Sequence, residues 1–426
     1  MSAFVMFFIA LALLMTGFEV AFVFGGVALL FAFFSPELSL EVFSFLPFRI
    51  YGIMSNFTLM AVPLFIFMGL ILEKSRMAED LLVSMSRLFG SLRGGLAISV
   101  VLVGAILAAS TGIVSASVVM MSVIALPLML RYRYSKSLSA GTIAASGTLG
   151  QIIPPSIILI ILGDVMSVSV GDLFKGAVLP GLLLVGLYIV YILIYAFVKK
   201  EAAPAIRSDK VGLFSALNAI LPPLLLIFIV LGSIFAGIAS PTESAAFGVI
   251  GAVILSVYKK SFSIGIITYA TMQTVKLSGM IFMILIGATA FSLVFNELGG
   301  SDLILEFFSD DIADPWVFIA FAMLIIFVLG FFIDFIEISF IVVPIMVPIL
   351  DELGIDPVWF AILVAMNLQA SFITPPFGLS LFFLKGAAKE LVSTLDIYKG
   401  IIPFIFLQVL ALGLVILFPD LVFAFL

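Results

Sequence analysis

Long apolar runs separated by short polar gaps dominate this sequence. Eleven such runs can be read along its 426 residues, near 2–34, 51–72, 95–130, 140–163, 174–198, 213–235, 245–258, 265–295, 316–350, 358–384 and 400–418. A helix needs roughly 20 apolar residues to cross the hydrocarbon core of a bilayer, and hydrophobic residues make up 64% of this chain. Backbone groups inside a bilayer must be paired within helices, because no water is present to pair them. The sequence therefore predicts an all-α, polytopic membrane protein.

The first apolar run, residues 2–34, is too long for the apolar part of a signal peptide and contains Glu19, so we expect it to remain as a span. The chain has no cysteine and no histidine, which excludes disulfides, thiolate metal sites and histidine-based catalysis. Its net charge of −6 offers no basic face for nucleic acid, and it has no P-loop motif for ATP. We expect a protein that is not an enzyme and binds no nucleic acid.

Two runs, 95–130 and 316–350, are too long for one crossing, at about 35 residues each. Short polar or acidic stretches interrupt both in the middle. Each is therefore predicted to form a re-entrant hairpin of two half-length helices joined at a tip. Runs 140–163 and 358–384 contain paired prolines. They are predicted to be broken helices, because proline lacks an N–H and clashes with the preceding turn.

The sequence also matches itself. A displacement of 221 residues places IALPLM (124–129) on IMVPIL (345–350) and IIPPSI (152–157) on ITPPFG (373–378). A displacement of 223 places VAFVFGGV on ESAAFGVI. Ordered matches of this kind indicate a duplication. We predict a first repeat over 1–198, a cytoplasmic linker over 199–212 and a second repeat over 213–426.

The charges beside the two hairpins differ in sign. Residues 73–93 and 131–136 hold seven basic and three acidic residues, whereas residues 296–315 and 351–357 hold nine acidic residues and no basic one. Because Lys and Arg near span ends favour the cytoplasmic side, the hairpins are predicted to enter from opposite faces, the first from the cytoplasm. Inverted repeats with interrupted helices are a recurring design of secondary transporters. A purely structural bundle is the alternative, but proline pairs at equivalent places in both halves favour transport.

The proline breaks expose oxygen atoms. In GTLGQIIPPSI (147–157) the carbonyls before Pro154 lack N–H partners in their own helix, and carbonyls at a helix C-terminus carry partial negative charge. The counterpart NLQASFITPPFG (367–378) adds the side-chain oxygens of Asn367 and Gln369. Hard cations favour oxygen ligands. We therefore predict Na⁺ binding at the breaks, with H⁺ as the alternative coupling ion.

The hairpin tips supply further polar groups. The first, AASTGIVSAS (108–117), is rich in hydroxyls, although close packing through small residues explains it equally well. The second, GFFIDFIEIS (330–339), carries Asp334 and Glu337 on one helical face. A carboxylate in hydrocarbon costs about 3 kcal/mol or more, so we expect Asp334 above all to face a cavity or a cation. An intramembrane hydrolase is disfavoured, because the two acids stand side by side rather than opposed across a bond.

Four segments together, AASTGIVSAS, GTLGQIIPPSI, ASPTESAAFGV and LQASFITPPFG, resemble the large membrane (M) subunit of tripartite ATP-independent periplasmic (TRAP) transporters. The resemblance runs from the early GFEVAFVFG to the final span. It implies an elevator-type fold like that of the ion transporter superfamily, in which scaffold and arm helices stay still while the hairpins and broken helices carry the substrate.

The resemblance also implies a function. This is Na⁺-coupled uptake of a small organic acid across the bacterial inner membrane, with a small four-helix membrane subunit and a periplasmic substrate-binding protein as partners. The implied Na⁺ ligands, some through backbone carbonyls, are Ser110, Thr111, Gly112, Gly147, Pro154, Asp334, Gln369, Thr374 and Pro375. Substrate contacts are expected from Ser115, Thr148, Asn367 and Thr374. A carrier of the same architecture that works alone, coupled to H⁺ or Na⁺, is the alternative.

Overall fold

The computed structural model describes residues 2–36, 38–75, 77–112, 114–206, 213–308 and 314–426, without the side chains of 108–111 and 213–219. Within these ranges the regular structure is helical and includes no β-strand. The first half contains α1 Ser2–Leu14, α2 Val20–Phe34, α3 Leu46–Met54, α4 Ala61–Lys74, α5 Met77–Phe89, α6 Gly95–Thr111, α7 Val114–Arg131, α8 Lys136–Thr148, α9 Ile157–Val165 and α10 Val170–Val198. The second half contains α11 Leu213–Phe235, α12 Pro241–Tyr258, α13 Ile264–Glu297, α14 Gly300–Glu306, α15 Pro315–Leu329, α16 Phe335–Glu337, α17 Val343–Glu352, α18 Pro357–Phe372, α19 Leu379–Ala388, α20 Thr394–Leu417 and α21 Asp420–Phe423.

Both predicted hairpins and both predicted broken helices are confirmed. Helices α6 and α7 form the first hairpin; α15 and a continuous helical segment from α16 to α17 form the second. A π-helical stretch, Ile338–Val342, joins α16 to α17. The prolines Pro154 and Pro375 lie between the halves of the broken helices α8–α9 and α18–α19. Five helices of the described chain, α7, α10, α12, α13 and α20, are individually long and apolar enough to cross a membrane.

The first apolar run differs from its prediction. Residues 2–34 form two helices, α1 and α2, rather than one span. The chain turns between them at Gly17, whose φ of +87° is one that glycine adopts without steric cost. The polar region 73–93 contains the amphipathic helix α5, whose Leu81 and Leu82 are buried. Its charge pattern hid a helix that the count of apolar runs passed over.

Helix starts recur along the chain at one spacing. Helices α2 and α12 begin 221 residues apart, as do α8 and α18, and as do α7 and α16. This spacing equals the displacement found in the sequence. The order of hairpin, broken helix and long helix therefore occurs twice. The opposed orientation of the two copies remains a prediction from the charges.

Packing divides the helices into two groups. In the framework group, which contains α1, α2, α4, α11, α12 and α13, helix α2 packs along α13 and α4 packs along α12. The core group contains both hairpins, both broken helices, α10 and α20. Helix α4 also contacts α6, and α13 contacts the π-helical stretch of the second hairpin. The two groups therefore meet through α4 and α13, next to the hairpins.

Glycines let helices of the two halves pack backbone against backbone inside the core group. A Cβ added to Gly141 of α8 would lie 2.1 Å from the carbonyl oxygen of Gly400 in α20. A Cβ added to Gly400 would lie 1.9 Å from the carbonyl oxygen of Ser137. The second hairpin uses the same device, because a Cβ on Gly330 would lie 2.1 Å from Ser371 Oγ. Any larger side chain at these positions would push the helices apart.

Candidate substrate and ion site

A small space lies between the two hairpin tips. This inner cavity has a volume of about 100 Å³. Both tips and the first residues after both proline breaks contribute to its wall, namely Gly112, Val114, Ser115, Ile157, Asp334, Phe335, Ile336 and Leu379. Elements from the two halves of the chain therefore close around one space.

Four helical segments begin at the wall of the inner cavity. They are α7 at Val114, α9 at Ile157, α19 at Leu379 and the continuous segment from α16 to α17 at Phe335. The first N–H groups of a helix have no carbonyl partner within that helix, and the peptide dipoles give its N-terminus a partial positive charge. Four such ends around one space form a binding place for an anion. Broken helices present their N-termini to anionic substrates in this way in other secondary transporters.

The helices that follow the breaks lack side-chain caps. Ser156 precedes α9, yet its hydroxyl donates to the carbonyl of Gln151 at 2.7 Å and caps nothing. Gly378 precedes α19 and has no side chain. At the far ends of the same broken helices, Ser135 caps α8 and Asp356 caps α18. The N–H groups of α9 and α19 thus remain available to a ligand.

Asp334 places a carboxylate in the wall of the inner cavity. Its Oδ1 accepts a hydrogen bond from the backbone N–H of Phe335 at 2.7 Å. Glu337, one turn further on, is only 4% exposed, and its Oε2 has no partner among the described residues. The described wall of the inner cavity contains no Lys or Arg. Two carboxylates this close together in a membrane interior need a cation or a proton to offset their charge.

Buried polar groups without hydrogen-bond partners lie behind the cavity, near the ends of the broken helices. Both amide atoms of Gln151 are unpaired among the described residues, as are Oε1 of Gln369 and the hydroxyls of Ser339 and Ser380. Amide and hydroxyl oxygens, together with carbonyls at helix ends, suit a coupling cation. The described residues contain no cluster of three or more carboxylate, imidazole or thiol groups. A cation held here would therefore be held chiefly by neutral oxygens.

The residues expected to contact substrate occupy different places. Ser115 lines the inner cavity. Thr148 and Asn367 are buried behind it, and Asn367 Nδ2 donates to the carbonyl of Met323 at 2.6 Å. Thr374 Oγ1 donates to the carbonyl of Ala370 at 2.7 Å. Of these four, the structure brings Ser115 alone to the wall of the cavity.

The residues expected to bind Na⁺ are similarly divided. Gly112 and Asp334 line the inner cavity. Gln369 is buried in α18, and Gly147 lies in α8 against Val118. The remaining ones lie at the breaks or outside the description: Pro154, Thr374 and Pro375 are at the proline breaks, whereas the side chains of Ser110 and Thr111 are not described. The structure therefore groups these positions around the two breaks and the two tips.

Sequence reasoning named polar residues and passed over the apolar ones that form most of the wall. Among them are Ile66, Leu277, Met280, Phe372 and Phe383. No signal in the sequence marks these positions, because an apolar side chain in a membrane helix looks the same whether it faces lipid or a cavity.

A wider outer cavity of about 750 Å³ adjoins the inner one and shares Ser115, Leu277 and Phe383 with it. Lys74 also lines it, with its Nζ 3.3 Å from Oε1 of the neighbouring Glu73. Both residues belong to the region whose basic excess predicts the cytoplasmic side. The outer cavity is therefore predicted to connect the inner cavity with the cytoplasm.

The second half has an apolar groove at the corresponding place. Phe295, which follows Lys74 by 221 positions, lines this groove of about 340 Å³. Phe307, Phe308 and Phe318 lie around it as well. A polar, open space on one side of the molecule thus corresponds to a space walled by phenylalanines on the other.

Comparison with known proteins gives consistent matches over nearly the whole chain. The family model described as "Tripartite ATP-independent periplasmic transporter, DctM component" matches residues 6–421. The C4-dicarboxylate TRAP transporter large permease protein DctM of Rhodobacter capsulatus is 29% identical over 415 residues, covering 93% of each chain. The ectoine TRAP transporter large permease protein TeaC of Halomonas elongata is 33% identical over 365 residues, 85% of this chain and 84% of that one.

Two further matches extend this result. The sialic acid TRAP transporter large permease protein SiaM of Vibrio cholerae is 27% identical over 413 residues, 96% of this chain and 95% of that one. Among solved structures, the YdaH transporter of Alcanivorax borkumensis superposes with a TM-score of 0.63 at 14% identity, over 97% of this chain and 99% of that one. The structural match shows a shared fold.

Proposed function

Because this chain belongs to the large permease (DctM) family of TRAP transporters, we propose that it carries a small organic acid into the cell together with Na⁺. It is a multi-pass inner-membrane protein and not an enzyme, as the sequence predicted. The family works with a small membrane subunit and a periplasmic binding protein, and we propose the same two partners here.

The convergence of four helix starts on the inner cavity carries this proposal. A carboxylate there would accept hydrogen bonds from the uncapped N–H groups of α9 and α19. The dipoles of α7 and of the second hairpin would add to the same field. An acid could thus be held without a basic side chain, which suits a wall whose described residues include no Lys or Arg.

Na⁺ coupling follows from the charges around that site. Asp334 lines the same cavity as the proposed carboxylate, and Glu337 is buried one turn away. Bringing an anion beside these acids is unfavourable unless a cation enters with it. The unpaired amide oxygens of Gln151 and Gln369 are in place to complete its coordination. Substrate and Na⁺ would therefore bind together better than either binds alone, which is the differential affinity that coupling needs.

Movement would follow an elevator scheme, with the core group sliding against the framework group. The core group joins both hairpins to both broken helices, and close glycine contacts hold it together. The contacts between the groups run through α4 and α13. With the outer cavity open and the phenylalanine-lined groove narrow, we assign this structure to the state that faces the cytoplasm.

The test is uptake by proteoliposomes that contain this chain with its small membrane subunit, supplied with the periplasmic binding protein. Labelled organic acids would be offered with an inward Na⁺ gradient, or with a proton gradient in sodium-free medium. We expect accumulation with Na⁺ alone. Full uptake driven by protons without sodium would contradict the coupling, and equal uptake by this chain without its partners would establish the stand-alone carrier instead.

A further inference from the structure

We infer that the substrate is a short monocarboxylate with an apolar side chain, rather than a dicarboxylate or a sugar acid. This inference rests on the proposed function, because it takes the inner cavity as the substrate site. It adds a statement about the rest of the ligand, which the helix starts do not determine.

The walls away from the helix starts are apolar. Leu277, Met280 and Ile281 of α13 face the cavity on one side, and Phe372 and Phe383 line it as well. Ser115 and Asp334 are the polar side chains of its described wall. A ligand whose carboxylate meets the helix starts must therefore place the remainder of its structure against hydrocarbon. Apolar groups gain free energy there, and polar groups without partners lose it.

The size of the cavity limits that remainder. A volume of about 100 Å³ corresponds to roughly three water molecules by their share of liquid volume. A branched group of a few carbon atoms fits such a space. A sugar acid with several hydroxyls is too large and would leave its hydroxyls unpaired against the apolar wall.

A second carboxylate is also disfavoured. A dicarboxylate that placed one end at the helix starts would bring its other end against the apolar wall or beside Asp334. The first position leaves an anion desolvated, and the second sets two like charges together. The described wall offers no Lys or Arg as a partner. The site therefore selects for one charge and against two.

Binding to the purified complex of the two membrane subunits in nanodiscs tests this, because the binding protein's own selectivity is then absent. Thermal stabilisation in saturating Na⁺ would be titrated with isovalerate, succinate and N-acetylneuraminate. We expect isovalerate to bind at least about tenfold more tightly than the other two. Tighter succinate binding with Na⁺-dependent succinate uptake would overturn the substrate class and leave the sodium-coupled carrier standing. No Na⁺-dependent binding of any carboxylate would overturn both.

A pair of methionines on α13 provides matched variants. Met280 lines the cavity at 43% exposure, whereas Met283 on the same helix is 46% exposed and is not part of the wall. Met280→Ala should weaken isovalerate binding several-fold and strengthen binding of the longer 4-methylpentanoate, because the cavity gains room. Met283→Ala should change neither. The inference fails if Met280→Ala leaves the preference between the two acids unchanged, or if Met283→Ala shifts it equally.

Discussion

Gln369 of α18 contacts Thr148 of α8, with Nε2 of the glutamine 3.5 Å from Oγ1 of the threonine, and the two residues stand 221 positions apart in the chain. This is the displacement that relates the two halves of the sequence. Equivalent residues of two repeats can meet each other only where the axis relating the repeats passes between them. The contact therefore marks the pseudo-symmetry axis, and it lies where both broken helices end.

Replacing Gln369 tests whether its buried amide serves the ion or the fold. Gln369→Leu keeps the size but removes an Oε1 that has no partner among the described residues. Stability should stay the same or rise, because an unpaired buried polar group is lost. If the amide binds Na⁺, the sodium concentration for half-maximal uptake should rise about fivefold, for a lost interaction of about 1 kcal/mol. Unchanged sodium dependence would assign the residue to packing.

Asp334→Asn removes the charge at the second hairpin tip and keeps the shape and most of the hydrogen bonding. We expect a folded protein whose uptake falls and whose half-saturating sodium concentration rises tenfold or more, since interactions with a charged group contribute about 1.5–3 kcal/mol. Glu337→Gln is the comparison and should have the smaller effect, because Glu337 does not line the inner cavity. Normal uptake with normal sodium dependence in Asp334→Asn would refute the assignment.

Gly400→Ala should destabilise the protein. Its new Cβ would lie 1.9 Å from the Ser137 carbonyl oxygen, so α8 and α20 must separate. Overpacking of this kind costs about 1–3 kcal/mol, and more where only backbone can yield. Gly413→Ala on the same helix is the control: nothing lies within 4 Å of its added Cβ, and a helical alanine gains up to about 1 kcal/mol over glycine. Thermal unfolding of the two variants should move in opposite directions.

Asn56 joins two helices through one side chain. Its Oδ1 accepts from the N–H of Thr58 at 2.9 Å, ahead of α4, and its Nδ2 donates to the carboxylate of Asp164 at the end of α9. Asn56→Ala should cost about 1–2 kcal/mol, because the N–H groups before α4 lose their acceptor. Asn56→Asp keeps that acceptor but sets a second carboxylate beside Asp164. Adding Asp164→Asn to it should restore part of the melting temperature, and a failure to do so would show that the link contributes nothing.

The orientation of the repeats can be read by labelling. The chain has no cysteine, so single cysteines at Ser91 and Asp302, both exposed, report without background. Ser91 lies beside the first hairpin, in the stretch rich in basic residues, and Asp302 lies beside the second, in the acidic stretch. A membrane-impermeant thiol reagent should reach the two from opposite faces. Labelling from one face would remove the inverted arrangement and the access route drawn from it.

Much of the fold was predictable because its determinants are local. The prolines at 154 and 375 end their helices wherever they occur, and a spacing of 221 residues can be read without coordinates. The separation of α1 from α2 at Gly17 was missed, since apolar residues continue on both sides of it. The helix α5 was missed because its outer face is charged.

The site was predictable in part for the same reason. Asp334 drew attention because a carboxylate is costly in a membrane, and it does line the inner cavity. The convergence of Val114, Ile157, Phe335 and Leu379 on one space had no signal, because these residues contribute the N–H groups of helix starts rather than side-chain chemistry. Such a site depends on where four segments meet, which is a property of the tertiary fold.

The backbone contact between Gly141 and Gly400 has a consequence for how the protein can be assembled. It places a helix of one repeat directly against a helix of the other, and Tyr188 packs across a similar boundary on Phe404 with ring centroids 5.0 Å apart. Each repeat expressed by itself would expose these faces and should be degraded or aggregate. Two polypeptides divided between residues 198 and 213 keep every one of these surfaces, so co-expression of the two fragments should reconstitute a working permease by complementation.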